Sequence, residues 1–403
     1  MKNRRALAVI AAAGLLSAAL AACGGGSDDE AAADTAGLAG DPIVVEVITP
    51  LSSVSPPVEV YHGALAAASA VNASGGINGR PLTVKVCDAG GTDGPAKAVE
   101  CARDLVADKT IIAEVGDYEA YQEQVNTILA AAGVPNIGPP PQSQSVLNST
   151  NSFPLAGSEG AALGTVLADA GARKIQVAYT NIAQAASAVQ FNEVSLERGR
   201  DMKITGSIPI DLTATDLTPA VTRGADGDGV ALAAMPTHLA AWLTVARGGD
   251  FDQKISASAS SLVPSALSAL GDKADGVLVS AGLPIVTSDE PGIVRFRDEM
   301  AKYQPGKIID QVSLYGWLDT WAFAQVARTI DGPVTRESTL KAFSNLNDFN
   351  VFGLLPDGFS TTKPFDTLPG MPRLFNQQIV EGVVKDGRLQ QTSEGYVPIF
   401  TKP

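Results

Sequence analysis

Polar and aromatic residues that could bind a small molecule stand directly after the predicted strands in both halves of the chain. In open α/β sheets, ligands bind beyond the carboxyl ends of the strands, where the N–H groups of helix N-termini also point. In the first half this rule selects Ser52, Ser53, Asp88, Asp117, Tyr118, Glu119 and Gln142. In the second half it selects Tyr179, Asn181, Met235, Pro236, Ser258, Ala259 and Ser260. We predict a cleft between two such edges that encloses a small molecule and closes by a hinge motion.

Catalytic motifs are missing from the sequence. It contains no Gly-x-Ser-x-Gly, no Gly-Lys-Ser/Thr and no His-Glu-x-x-His. The run GADGDG at 224–229 ends a predicted helix and precedes a strand, so it predicts a solvated turn and not a dinucleotide site. With 2 histidines and no paired-cysteine spacing, no metal site is predicted. We expect a binding protein without a cofactor; an enzyme would need a nucleophile–base pair.

The elements that must position these residues alternate between strand and helix. The apolar run Ile43 to Thr49, the alanine-rich run ending at Asn72 and the alternating run from Leu82 form a strand–helix–strand unit. Similar units continue to residue 137, and a second set runs from about 160 to 280. Because 403 residues exceed one ordinary core, two sets predict two doubly wound parallel-sheet lobes.

One motif carries a family resemblance. Asn-Ala-x-Gly-Gly-Ile-x-Gly-Arg, at 72–80, resembles the first-unit signature of Leu/Ile/Val-type solute-binding proteins of ABC transporters, which have the type I periplasmic-binding-protein fold. The resemblance implies three crossovers between lobes, near residues 157, 285 and 350. Lobe one would then span 42–157 and 286–350, and lobe two 158–285 and 351–403. It also implies a small-molecule ligand and a membrane permease as partners.

The predicted site departs from the family pattern. Amino-acid binders of this family hold the ligand carboxylate with hydroxyl residues where this chain has Glu119, beside Tyr118, and Gln142. They hold the ammonium with an acid where it has Ala259, and cover the ligand with an aromatic residue where it has Met235 or Pro236. Because a ligand carboxylate would be repelled by a buried acid, we expect a less polar ligand or one whose donor faces Asp117 or Glu119.

Structural roles remain open for several of these residues. Asp117 and Glu119 could instead cap a helix or stabilise its first turn. Met235 could belong to the core, and Trp317 could line the cleft or pack a helix face. The candidate ligand-binding set is Ser52, Ser53, Asp117, Tyr118, Glu119, Gln142, Tyr179, Met235, Ser258 and Trp317.

The N-terminus predicts export. A basic start, an apolar run and Leu-Ala-Ala-Cys at 20–23 resemble a bacterial lipoprotein leader, 1–22, followed by an acylated Cys23. The alternative is an ordinary signal peptide with an incidental cysteine. Small and acidic residues at 23–41 predict a flexible tether. We therefore expect an extracytoplasmic protein anchored through Cys23 to the outer face of the bacterial membrane.

The net charge limits the classes of possible partner, and the cysteine content predicts a disulfide. The net charge of −14 argues against nucleic acid. In an oxidising compartment, Cys87 and Cys101 predict a disulfide between a strand end and the following helix; two separate buried thiols are the alternative. An importer component is the leading hypothesis, and a ligand-sensing lipoprotein of the same fold that signals to a membrane partner is the alternative.

Overall fold

The computed structural model describes residues 37–53, 57–91, 94–366 and 370–402. The predicted leader, the predicted acylation site Cys23 and most of the predicted tether lie outside these residues. Within them, none of the helices is both long and apolar enough to span a bilayer.

Lobe one is built on a five-stranded parallel sheet. Its strands are β1 (Ile43–Thr49), β2 (Leu82–Asp88), β3 (Ile111–Val115), β4 (Asn136–Ile137) and β5 (Ser152–Phe153), in the order β2-β1-β3-β4-β5. The helices between them are α1 (Glu59–Ala73), α2 (Ala96–Ala107), α3 (Gln122–Ala131) and α4 (Gln144–Asn148). β1 is buried along its whole length, as expected for the central strand of a sheet covered on both faces.

Lobe two has a larger, mixed sheet. Its strands are β6 (Ile175–Thr180), β7 (Gly206–Ile210), β8 (Gly229–Ala233), β9 (Lys254–Ser258), β10 (Leu278–Ala281), β11 (Gln378–Lys385), β12 (Arg388–Gln391) and β13 (Val397–Pro398). The order is β12-β11-β10-β9-β8-β6-β7, with β13 beside β11. β6 to β10 are parallel, and the hairpin of β11 and β12 adds an antiparallel edge. Its helices are α5 (Leu163–Asp169), α6 (Ala183–Arg200), α7 (Thr218–Gly224), α8 (Pro236–Arg247) and α9 (Pro264–Leu270).

The last three helices return to lobe one. They are α10 (Pro291–Tyr303), α11 (Gln311–Ala327) and α12 (Arg336–Phe343), and α10 and α11 pack on α1. The chain then re-enters lobe two at β11. The predicted fold class, two α/β lobes with parallel-sheet cores, is confirmed.

The segments that join the lobes lie side by side. The N–H of Gly157 donates to the carbonyl of Gly282 at 3.0 Å, and a Cβ at Gly157 would lie 1.9 Å from the carbonyl oxygen of Gln378. Residues of 351–359 still pack in the lobe-one core, so the third crossover falls after the predicted boundary at 350. A boundary there carried no local sequence signal, because this segment forms neither helix nor strand.

The motif at 72–80 fastens α1 to β2. The side chain of Asn72 accepts from Leu82 N–H at 2.7 Å and donates to Leu82 C=O at 2.9 Å. Gly76 has φ +66°, and a Cβ there would lie 2.2 Å from the carbonyl oxygen of Arg80. Glycine is therefore required at this turn. The guanidinium of Arg80 donates to the carbonyl of Asp41, which fixes the entry to β1.

The predicted disulfide is confirmed. Cys87, near the end of β2, bonds to Cys101 in α2, which is buried against β1. Replacing both cysteines with alanine is expected to lower the free energy of unfolding by about 3 kcal/mol, because the unfolded chain loses a cross-link that closes a short loop. Urea unfolding measures this loss. Reductant should reproduce it in the wild type and leave the double variant unchanged; a loss below about 1 kcal/mol would contradict the expectation.

Candidate functional site

A cavity of about 1180 Å³ lies between the carboxyl ends of the two sheets and is lined from both lobes. It is larger than a single amino acid needs and exceeds the usual volume of small-molecule sites, about 300–1,000 Å³. Of the predicted ligand-binding residues, those lining it are Ser52, Ser53, Tyr118, Glu119, Gln142, Met235 and Ser258. Pro236 and Ser260 line it as well.

Three predicted ligand-binding residues lie elsewhere. Asp117 is 1% exposed and Trp317 is fully buried, and neither they nor Tyr179 line the cavity. Trp317 belongs to the lobe-one core, where its indole N–H donates to Glu299 at 2.8 Å. The prediction that Trp317 lines the cleft is therefore wrong. Asp88, Asn181 and Ala259, selected by the strand-end rule, also lie outside the cavity lining.

The lobe-one wall of the cavity is acidic. Glu59, Glu119 and Asp310 all line it, and Tyr118 lies among them. Burial raises the pKa of Glu59, and burial together with the charge of Asp117 raises that of Glu119 well above its usual value. Burial also raises the pKa of Asp310 to about 6, although the backbone N–H of Ser313 opposes that shift. A cation or hydrogen-bond donor placed beside any of these acids would stabilise its ionised form.

Two of these acids also hold helix ends. Asp310 caps α11 by accepting from the N–H of Ser313 at 2.8 Å. Glu119 accepts from the backbone N–H of Tyr121, just before α3, while its Oε1 has no hydrogen-bond partner among the described residues. Holding the start of α3 therefore occupies one carboxylate oxygen of Glu119, and the other oxygen remains available to a ligand.

Lys97 is the one lysine or arginine among the described residues that line the cavity. Its ammonium lies 3.3 Å from the Ser52 hydroxyl and 3.6 Å from the Asp88 carboxylate. Burial alone would raise the pKa of Asp88, but hydrogen bonds from Ser52, Gly90 and Leu51 lower it to about 2. Lys97 thus already faces a firmly ionised partner, and its side chain is 58% exposed. An exposed pair of this kind contributes at most about 1 kcal/mol.

Lobe two supplies hydroxyl groups. Ser258 ends β9, Ser260 and Ser261 follow it, and all three line the cavity. Nearby, the hydroxyl of Thr180 lies 2.9 Å from Nδ1 of His238 and accepts from the N–H of Met235 at 3.1 Å. Burial lowers the pKa of His238, so this side of the cavity presents polar but uncharged groups.

Glu159 connects the lobes behind the cavity. Its carboxylate accepts from the hydroxyl of Ser260 at 2.6 Å, from the N–H of Gly282 at 3.3 Å and from the hydroxyl of Tyr315 in α11. Burial raises its pKa, although these donors oppose the shift. Tyr315 belongs to lobe one and Ser260 to lobe two. The network therefore ties the β9 edge in lobe two to α11 in lobe one.

Sequence reasoning missed Glu59, Lys97, Asp310 and Glu159. The first two stand in the opening turns of α1 and α2, which follow strands β1 and β2. Extending the strand-end rule by one helical turn would have selected them. Asp310 precedes an apolar run with Ser313 three positions on, a capping pattern visible in the sequence.

Two lobes around a cavity at their strand ends define a bilobal binding architecture. The chain belongs to the periplasmic binding protein family, whose model matches residues 42–366. A comparison with curated protein sequences found no match.

Solved structures share the fold. A substrate-binding periplasmic protein from Ralstonia solanacearum is 22% identical, with a TM-score of 0.73 over 88% of this chain and 100% of that one. A possible leucine/isoleucine/valine-binding protein from Rhodopirellula baltica is 17% identical, with a TM-score of 0.73 over 91% and 98%. A fatty acid ABC transporter substrate-binding protein from Thermomonospora curvata is 18% identical, with a TM-score of 0.74 over 90% and 94%.

Proposed function

We propose that this protein is the extracytoplasmic solute-binding component of an ABC importer and captures a neutral or cationic small molecule between its lobes. The ligand would close the cleft, and the closed form would present it to a membrane permease. The predicted acylation of Cys23 would keep the protein beside that permease. The family supports the class of protein, and the names of several structural relatives support the transporter.

The observation that carries the ligand proposal is the charge of the cavity wall. Three carboxyl groups and one lysine are present among the described lining residues, and the lysine is paired with Asp88. Where Glu119 is ionised, a ligand carboxylate about 4 Å away would be repelled by roughly 4 kcal/mol at an effective dielectric constant of 20. Because the pKa of Glu119 is raised, a cationic ligand would favour its ionised form, whereas an anionic ligand would oppose it. The exposed Lys97 cannot offset this. An amine, amidine or amide at the same place would instead be attracted.

The proposed polarity differs from that of the usual amino-acid site. In this chain the acids stand on lobe one and the hydroxyl groups of Ser258, Ser260 and Ser261 on lobe two. A ligand with a donor-bearing head would therefore turn that head toward Tyr118 and Glu119. The aromatic ring of Tyr118 can also stack on a cationic group.

A thermal-shift screen tests the proposal. The panel holds branched-chain amino acids, amides, monoamines, polyamines, aromatic carboxylates and fatty acids. A ligand at a hundred times its Kd stabilises the folded state by about 2.7 kcal/mol, which is a readable shift. We expect the largest shifts from neutral or cationic compounds. The largest shift from leucine or a fatty acid would contradict the ligand proposal.

Glu119→Gln sharpens the test. Glutamine keeps the shape and an oxygen for the Tyr121 N–H but removes the charge, so a cationic ligand should lose tenfold or more in affinity, about 1.4 kcal/mol. Glu100→Gln, an exposed acid on α2 outside the cavity, is the matched control and should leave the affinity unchanged. Equal affinities in both variants would remove Glu119 from the site.

A further inference from the structure

A second cavity of about 620 Å³ lies beside the cleft. It is lined by α9 and the residues around it in lobe two, by the crossover at 286–287, by the start of α11 in lobe one, and by the turn between β11 and β12. It therefore touches both lobes and one of the segments that join them.

The two cavities share a wall. Val263, Pro264, Asp310 and Val312 line both of them. Val263 and Pro264 come from lobe two, whereas Asp310 and Val312 come from lobe one. Because the shared wall is formed by residues of both lobes, a change in the distance between the lobes would alter the boundary between the cavities.

The second cavity is mainly apolar inside. Its apolar surface comes from Leu262, Leu267, Val286, Ile309 and Leu389, and besides Asp310 the charged residues that line it are Asp272, Asp275, Asp386 and Arg388. Gln311 also lines the cavity and is 2% exposed. Its side-chain amide nitrogen donates to the carbonyls of Leu283 and Pro284. The amide oxygen of Gln311 has no hydrogen-bond partner among the described residues. Buried acceptors are nearly always paired, so this oxygen calls for a donor.

We infer that the second cavity is a subsite for the distal, mainly apolar end of the ligand held in the cleft. The ligand is then an elongated molecule whose polar head lies against the acids of lobe one and whose tail passes between Val263 and Val312. A hydroxyl or amide N–H on the tail would pair with Gln311. This inference rests on the proposed function for the position of the head.

Two serines on one helix allow the two cavities to be tested separately. Ser265 lines the main cavity alone and Ser268 the second cavity alone, and both are exposed on α9. Because both side chains are exposed, we expect a tryptophan at either position to leave the core undisturbed. Ser268→Trp fills the second cavity, and Ser265→Trp is its matched counterpart in the cleft.

The probes are linear alkylamines from four to ten carbons, titrated by calorimetry into the full chain. In the wild type, each added methylene that becomes buried should tighten binding about fourfold. Ser268→Trp should keep the affinity for the shortest amines and lose the gain for the longest, whereas Ser265→Trp should weaken all of them. An unchanged dependence on chain length in Ser268→Trp would overturn the inference.

Failure of the proposed function is distinguishable from failure of the subsite. If no alkylamine binds the wild type, the ligand class is wrong, and the neutral dye N-phenyl-1-naphthylamine then tests the second cavity alone. Dye fluorescence lost in Ser268→Trp and kept in Ser265→Trp would support an apolar site there. Equal fluorescence in the two variants, or none in the wild type, would overturn it.

Discussion

Replacing Gly316 with alanine is expected to lower the free energy of unfolding by about 3 kcal/mol or more. Gly316 on α11 faces α1, and a Cβ there would lie 1.9 Å from the carbonyl oxygen of Val60. The contact is reciprocal, since a Cβ at Gly63 on α1 would lie 1.9 Å from the carbonyl oxygen of Ser313. Both obstacles are helix backbone, which cannot rotate aside.

The opposing effect is smaller. Alanine is favoured over glycine inside a helix by about 1 kcal/mol. The overlap must therefore be relieved by separating α1 from α11, which opens the core around Trp317. Urea unfolding of Gly316→Ala and Gly63→Ala measures the loss.

Gly395→Ala is the control, because a Cβ at Gly395 meets no atom within 4 Å. It should change the free energy of unfolding by less than about 0.5 kcal/mol. A Gly316→Ala protein as stable as this control would mean that the two helices do not pack this closely.

Local structure was predictable because its causes are local. The alternation of apolar residues in β1 and β2, the glycine turn after Asn72 and the cysteine pair each depend on neighbours in the sequence. The lobes followed from two sets of such units. The order of strands in each sheet, and the addition of β11 and β12 to lobe two, depend on distant partners and carried no local signal.

The site was predictable only in part. The strand-end rule selected Ser52, Tyr118 and Met235, which line the cavity, because the rule concerns backbone direction. It could not decide between Asp117 and Glu119, which are two residues apart; Glu119 lines the cavity and Asp117 lies behind it. The prediction that Trp317 lines the cleft was wrong for another reason. α11 is buried on nearly every side, so no periodicity distinguishes its cleft side from its core side.

The acids behind the cavity should make the protein less stable as pH rises from 5 to 8. Three such acids are each at most 2% exposed: Glu114 on β3, Asp117 just after β3, and Asp319 on α11. Asp117 approaches Asn136 at 3.5 Å, and one oxygen of Asp319 and both of Glu114 have no hydrogen-bond partner among the described residues. Carboxyl groups in such surroundings favour the neutral form.

Burial raises the pKa of Asp117 to about 7, although hydrogen bonds from Asn136 and Gln122 oppose the shift. Burial and the charge of Asp117 raise the pKa of Asp319 and of Glu114 well above their usual values. The folded state therefore binds more protons than the unfolded chain between the unfolded pKa, about 4, and the folded one. The free energy of unfolding falls with rising pH across that window.

The expected loss between pH 5 and pH 8 is about 2 to 4 kcal/mol, since one pKa unit corresponds to 1.36 kcal/mol and the groups interact. Acids with lowered pKa values, such as Asp88, act below pH 4 and lie outside this window. The raised pKa values of the acids at the cavity add to the loss, whereas the lowered pKa of His238 opposes it at the lower end of the window. Urea unfolding at several pH values measures the loss.

Asp319→Asn replaces the neutral carboxyl with a group of the same shape. It should leave stability at pH 5 nearly unchanged, raise it at pH 8 and flatten the pH dependence. Asp298→Asn, at an exposed position on α10, should do none of these. Stability that rises from pH 5 to pH 8 in the wild type would mean that these carboxyl groups are ionised and compensated in the folded protein.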